Sequence, residues 1–398
     1  MIRAGKYDPT RLRAAVVRAL DSIGRPERFI PRGARVFVKV NLLSPPSPPE
    51  RAIVTHPAFA EAVLSLLREL TPRIIVGDDV SGPESFEVTG YRRMCERLGV
   101  ELLNLRERGF VEIRVDGAVL EKIYVARAVL EAEVLVDLPK LKTHALNRFT
   151  GAVKNLYGII PAGLRKRLHG DHPEPREFCQ ALVDVFSVAR PALTVMDAVV
   201  GMEGAGPANG TPRAIGLVIA GADAVAVDAV AQMIIGLDPL EVGTTFNAHV
   251  RGLGIGDPAE IEVVGEEIAA VRPEGFRLPP AVGEFVGRLP PALTRWIVGH
   301  LQARPVVIRG RCVSCGACAR ACPIGAAHLR GGTARIDRRA CIRCMCCNEA
   351  CRYGAIDLRP DLLGRLLRSV GHHGLRAGSR GAGQVRVDRV SQRKKGYG

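Results

Sequence analysis

The chain has 398 residues, 47% of them hydrophobic and 24% charged, enough for two or three domains with ordinary cores. Residues 1–20 mix Arg, Lys and Asp with apolar residues, which argues against a secretory leader, and the longest apolar region, 214–237, is broken by Asp223 and Asp228, which argues against a membrane span. A cytoplasmic protein is expected, so its eleven cysteines read as metal ligands or free thiols and not as a disulfide framework.

Residues 1–25 read as a helix, with Leu12, Val16 and Leu20 at helical spacing. A strand follows over 35–43 (RVFVKVNLL), then a Pro-rich loop, Thr55-His56-Pro57, and a helix over about 58–70. Short strands are expected at 73–76, 101–105, 134–138, 194–197 and 215–220, with helices near 91–98 and 222–235. This alternation predicts an α/β domain over 1–267 around a mostly parallel sheet. Asn41, Asp78, Asp79, Lys140, Lys142 and Asp197 collect at the strand ends. In open α/β sheets the ligand crevice lies outside the carboxyl ends of the strands. A connector with Trp296 is expected over 268–303, a small α+β ferredoxin-type domain over 304–360, and a basic tail over 361–398.

Nine cysteines lie between Cys312 and Cys351. The first run is Cys312-x2-Cys315-x2-Cys318-x3-Cys322-Pro323, and the second is Cys341-x2-Cys344-x2-Cys347-x3-Cys351. Three thiolates at such spacing wrap one cubane, and the fourth comes from the other run. Two 4Fe–4S clusters are therefore expected. One is held by Cys312, Cys315, Cys318 and Cys351, the other by Cys341, Cys344, Cys347 and Cys322. CxxC pairs also bind zinc, but a zinc reading leaves ligands of both runs unused. Cys346 is an extra thiol and no ligand. Cys95 and Cys179 read as packing residues. Arg311, Arg320, Arg335, Arg338, Arg339, Arg343 and Arg352 surround the runs. Positive charge of this kind favours the reduced clusters and steers an acidic electron donor or acceptor protein. The tail holds nine Lys or Arg against two Asp but only one aromatic, Tyr397, so nucleic acid is not the expected partner.

The first domain carries VKVNLL at 38–43, THP at 55–57, LPKLKTH at 138–144, TGAVKNLYG at 150–158 and MEGAGPANGTPR at 202–213. This combination resembles the family catalogued as domain of unknown function 362, over roughly residues 34–265. The resemblance implies a fold and its pairing with a ferredoxin module, without a settled reaction. Read from the residues themselves, Lys39, Lys140, Lys142 and Lys154 converge into a cationic pocket suited to a small anionic substrate. His56 and His144 are candidate acid and base, and Asp78 and Asp79 could hold a metal or orient a histidine. The bland alternatives are equally concrete: His56 or Asp78 as a helix cap, Lys154 as a helix-terminal residue, Asp223 and Asp228 as residues of a helix start. Two functional classes stand: an iron–sulfur electron-transfer enzyme, or a non-enzymatic carrier that docks a redox partner.

Overall fold

The computed structural model describes residues 1–43, 45–279 and 304–359. Of the expected connector, residues 268–279 are described, with a helix Ile268–Val271, while 280–303, including Trp296, and the basic tail from 360 lie outside the described residues. The described residues up to 279 and those over 305–358 belong to one compact unit.

The fold is mixed α/β with a mostly parallel central sheet and a small ferredoxin-like part at its C-terminal end. The strands are β1 (Ile2–Arg3), β2 (Val36–Val40), β3 (Ile74–Asp78), β4 (Glu101–Asn104), a separate hairpin β5 (Phe110–Arg114) and β6 (Lys122–Ala126), then β7 (Val134–Leu138), β8 (Lys140–His144), β9 (Arg148–Thr150), β10 (Leu193–Glu203) and β11 (Thr211–Gly221). The main sheet runs β1-β11-β10-β7-β2-β3-β4, with β8 paired to β10 and β9. Its centre, β10-β7-β2-β3-β4, is parallel, and β11 and β1 close one side antiparallel. Strand β2 reads VFVKV and is buried at every position, as expected of a parallel strand covered on both faces.

Two local differences from the sequence reading have physical causes. The first helix starts at Pro9, because Asp8 accepts from Arg11 N and caps it, while residues 2–3 pair with β11 instead. Residues 194–197 and 215–220 are only parts of two eleven-residue strands, near the start of the first and the end of the second, that form one long antiparallel pair. Pro139 separates β7 from β8, and its carbonyl accepts from Asp197 N at 2.9 Å. The chain past Pro139 thus continues as a strand along β10, not as a loop.

The cysteine module contributes β12 (Arg304–Val307), β13 (Ala327–Arg330), β14 (Thr333–Ile336) and β15 (Ile356–Arg359), with short helices Ala317–Ala321 and Cys346–Glu349. β13 and β14 pair antiparallel, and β12 pairs with β15.

Candidate functional site

Each of β2 and β3 delivers a polar side chain to the carboxyl end of the sheet. Lys39 is 1% exposed, and its ammonium donates to Val40 O at 2.6 Å and pairs with Asp78 at 2.8 Å. Asp78 also accepts from Leu42 N (2.8 Å) and Asp79 N (2.8 Å), so it pins both loops leaving the sheet. A buried charge held this way is compensated by its partner and by backbone groups.

Along β8, Lys140, Lys142 and His144 share one face by the two-residue period of a strand. Their fates differ. Lys140 sits in a closed cluster, donating to Tyr7 Oη at 2.6 Å and to Asp197 at 2.8 Å, with both ion-pair side chains fully buried. Lys142 donates to Asn41 Oδ1 (2.7 Å) and Ile53 O (2.8 Å). Burial, with Lys140 and Lys154 nearby, pulls its pKa down to about 7. His144 Nδ1 accepts from Leu146 N (3.1 Å) and Asn147 N (3.2 Å), which puts the neutral ring's proton on Nε2. Burial lowers this histidine to about 4.

The helix Ala152–Asn155 supplies the next pair. Asp228, buried on the helix Ala224–Ile234, accepts from Ala152 N (2.5 Å) and Val153 N (3.0 Å) and holds that helix start in place. Asp223 caps its own helix by accepting from Val225 N and Ala226 N. Asn155 donates to Asp137 (2.6 Å) and accepts from Asn41 (3.2 Å). The Lys154 ammonium lies over the Tyr157 and Phe178 rings at 5.6 and 5.5 Å. Burial lowers its pKa.

Some of these groups line a cavity of about 340 Å³. Lys39, Asn41, Asp78, Asp79, Lys142, Thr150, Lys154, Asn155 and Gly158 form one side, Arg106, Arg165, Lys166 and His169 another, and Ala321, Cys346, Glu349 and Ala350 of the cysteine module the third. Six cationic side chains face three carboxylates. Two of the cations, Arg106 and Arg165, grip Asp79, whose side chain is fully buried. Thr150 Oγ1 and His169 Nδ1 are buried without a hydrogen-bond partner. Buried polar atoms are normally satisfied, so such orphans mark a place for a ligand or water. Gly158 is required here. A Cβ on it would come within 2.8 Å of the Lys39 ammonium and 2.7 Å of Asp78.

Of the candidate residues read from sequence, Lys39, Lys142, Lys154 and Asp78 line this cavity, and His144 lies behind Glu349 with Nε2 3.3 Å from Oε1. Lys140 and His56 do not line it. His56 caps the helix Pro57–Leu67, accepting from Ala58 N, and stacks on Tyr7 at 3.7 Å. Arg106, Arg165, Lys166, His169 and Glu349 also line the cavity, and none sits in a recognisable sequence motif. Only the spacing of Glu349 between two cysteines of one run hinted at its position.

The module packs against this edge. Lys166 donates to Arg320 O (2.7 Å), Asn209 to Asn348 O (2.6 Å) and Arg51 to Arg352 O (3.4 Å). Its eight run cysteines line two separate cavities. One holds Cys312, Cys315, Cys318 and Cys351, and the other holds Cys322, Cys341, Cys344 and Cys347. The two loops repeat each other's backbone, with left-handed residues at Ser314 and Gly316 in the first and at Arg343 and Met345 in the second. Backbone amides reach the sulfurs: Ala327 N to Cys322, Ala334 N to Cys312 and Ala355 N to Cys351, at 3.4, 3.4 and 3.2 Å. Four soft thiolates with amide donors suit an iron–sulfur cluster. Cys346 belongs to neither four and lines the polar cavity instead.

Comparison with known proteins agrees with this division. A family described as "Domain of unknown function (DUF362)" matches residues 36–232, and a "4Fe-4S dicluster domain" matches 304–352. The thylakoid-associated protein sll1697 of Synechocystis is 29% identical over 257 residues, spanning 64% of this chain and 79% of that protein. The lactate racemase apoprotein from Thermoanaerobacterium thermosaccharolyticum matches at 12% identity with a TM-score of 0.39, over 56% of this chain and 54% of that one, about half its length. Among the described residues no helix is long and apolar enough to cross a membrane.

Proposed function

We propose that this chain, a DUF362-family domain joined to a 4Fe–4S dicluster domain, is a redox enzyme whose cavity holds a small anionic substrate beside the second group of cysteines. The chain is an iron–sulfur electron-transfer protein by its dicluster domain. Two clusters, held by the two sets of four cysteines, would supply one-electron transfer. The observation that carries the enzyme reading is the shared lining. Lys142 and Lys154 of the α/β domain face the same 340 Å³ cavity as Cys346, which lies between cysteines of the second set. A carrier with no chemistry of its own has no use for buried lysines and orphaned polar atoms at that place.

The residues divide the work. Lys154, held by ring faces, attracts the anion. Lys142, with a pKa near 7, holds or releases a proton at neutral pH. The Lys39–Asp78 pair and Asn155 keep the loops in place, and the neutral His144 fixes Glu349. Thr150 and His169 offer the unused polar atoms to the substrate.

The test is calorimetric titration of the anaerobically reconstituted full chain with sulfate and with succinate. Binding that weakens at least tenfold in Lys154→Met, with iron content unchanged, is expected. No binding of either anion to the native chain, across a panel extended to phosphate, would remove the substrate reading and leave the carrier.

A further inference from the structure

The two cysteine sets are not equivalent. In the second set Cys344 and Cys347 are buried, and the chain between them turns Cys346 into the polar cavity. In the first set Cys315 is exposed. The cavity around the first set is lined by Val313, Leu329 and Tyr353, which are 55%, 45% and 41% exposed. Three large apolar side chains around a single group of thiolates leave apolar surface that no side chain among the described residues covers.

The rim of that patch is cationic. Arg311 precedes Cys312 and is exposed. Arg320 donates to Cys315 O at 3.1 Å. Arg352 lies 4.9 Å over the Tyr353 ring and donates to its hydroxyl at 2.8 Å. Residues 304–359 contain eleven Arg and no Lys, against three acidic residues, Asp337, Glu349 and Asp357. Of these three, Glu349 faces inward to the polar cavity.

We infer that this face is the docking surface for an acidic one-electron carrier protein. An apolar centre within a charged rim is the anatomy of a specific protein interface. A patch this small suits the brief, weak contacts of redox partners. The charge selects an acidic partner and speeds its encounter, and it opposes a second copy of this basic chain. Nucleic acid would use the arginines but leave Val313 and Leu329 without a role. Each transfer oxidises the carrier by one electron and reduces the module by one, with no bond made or broken. The inference rests on the iron–sulfur reading of the module and is independent of which anion fills the cavity.

The experiment uses the reconstituted full chain and an acidic flavodoxin as the probe. Affinity is measured by fluorescence anisotropy between low and high salt, for the native chain, the double variant Arg311→Glu/Arg352→Glu, and Val313→Ser. The double variant is expected to lose at least tenfold in affinity and most of the salt dependence. Val313→Ser is expected to weaken binding severalfold and keep the salt slope of the native chain. Matching iron content and absorption spectra show that the variants are folded and loaded. Native-like affinity in both variants would overturn the inference, as would tighter binding of a labelled DNA duplex than of flavodoxin. Sulfate titration of the double variant separates this from the cavity reading, since Arg311 and Arg352 do not line the cavity.

Discussion

His144 Nε2 lies 3.3 Å from Glu349 Oε1, and through this contact a strand of the α/β domain meets the helix that carries Cys346 and Cys347. Burial pushes the Glu349 carboxyl up, but His144 first, then Lys154 and His169, hold it below the usual carboxylate range. Glu349→Gln keeps the shape and an acceptor for His144 but removes the negative charge. Sulfate should then bind several times more tightly, and stability should change by no more than about 1 kcal/mol, since the His144 contact loses a charge but no formed hydrogen bond. Calorimetry and urea unfolding measure the two effects. Weaker sulfate binding would contradict this account of the cavity's charge.

Lys142 sets the pH dependence. Its folded pKa of about 7 lies below the ordinary lysine value because of burial. The ammonium is present below pH 7 and lost above it, so sulfate affinity should fall as pH rises from 6 to 8. Sulfate itself keeps its charge over this range. In Lys142→Met the profile should be flat. Stability runs the other way: between pH 7 and about 10 the unfolded chain binds the extra proton, so stability gained through this residue rises with pH. A native profile parallel to that of Lys142→Met would refute the assignment.

Gly158→Ala probes the floor of the cavity. The added methyl meets Asp78 at 2.7 Å and the Lys39 ammonium at 2.8 Å, and those two are paired at 2.8 Å with almost no exposure. The pair must open, at a cost of about 1–3 kcal/mol, and sulfate binding should drop. An unchanged urea midpoint would mean that the pair has room which the packing denies it.

The crossed arrangement of the cysteines has a spectroscopic consequence. Cys312→Ala and Cys351→Ala should perturb the same electron paramagnetic resonance signal of the reduced protein, although 351 lies in the second run. Cys341→Ala and Cys322→Ala should perturb the other. The native chain should carry about eight irons. Pairing of the spectral effects by run, 312 with 322, would overturn the crossed assignment.

The sheet and the module were legible because both announce themselves locally. VFVKV and VLVDL are buried strands by composition, and the cysteine spacing carries its own chemistry. The cavity was legible in part, through the lysines left at strand ends. It could not show that Lys140 spends its charge on Asp197 and Tyr7, because Tyr7 is 133 residues away in sequence. Nor could it reveal His169, Arg165 and Glu349, which come to the cavity from a surface helix and from the other domain. His56 was open to two readings, and the geometry gives it a cap and a stacking partner. Long-range ion pairs and domain packing decide such cases, and neither has a short-range pattern.

A small anion in the cavity would sit close enough to the second cysteine set for the redox groups to sense its charge. A potentiometric titration of the reconstituted full chain, followed by electron paramagnetic resonance with and without saturating sulfate, tests it most directly. One of the two couples should move to a more negative potential, since an added anion disfavours the reduced state, and Lys154→Met should abolish the shift. Sulfate that binds while both couples stay where they were would contradict the account.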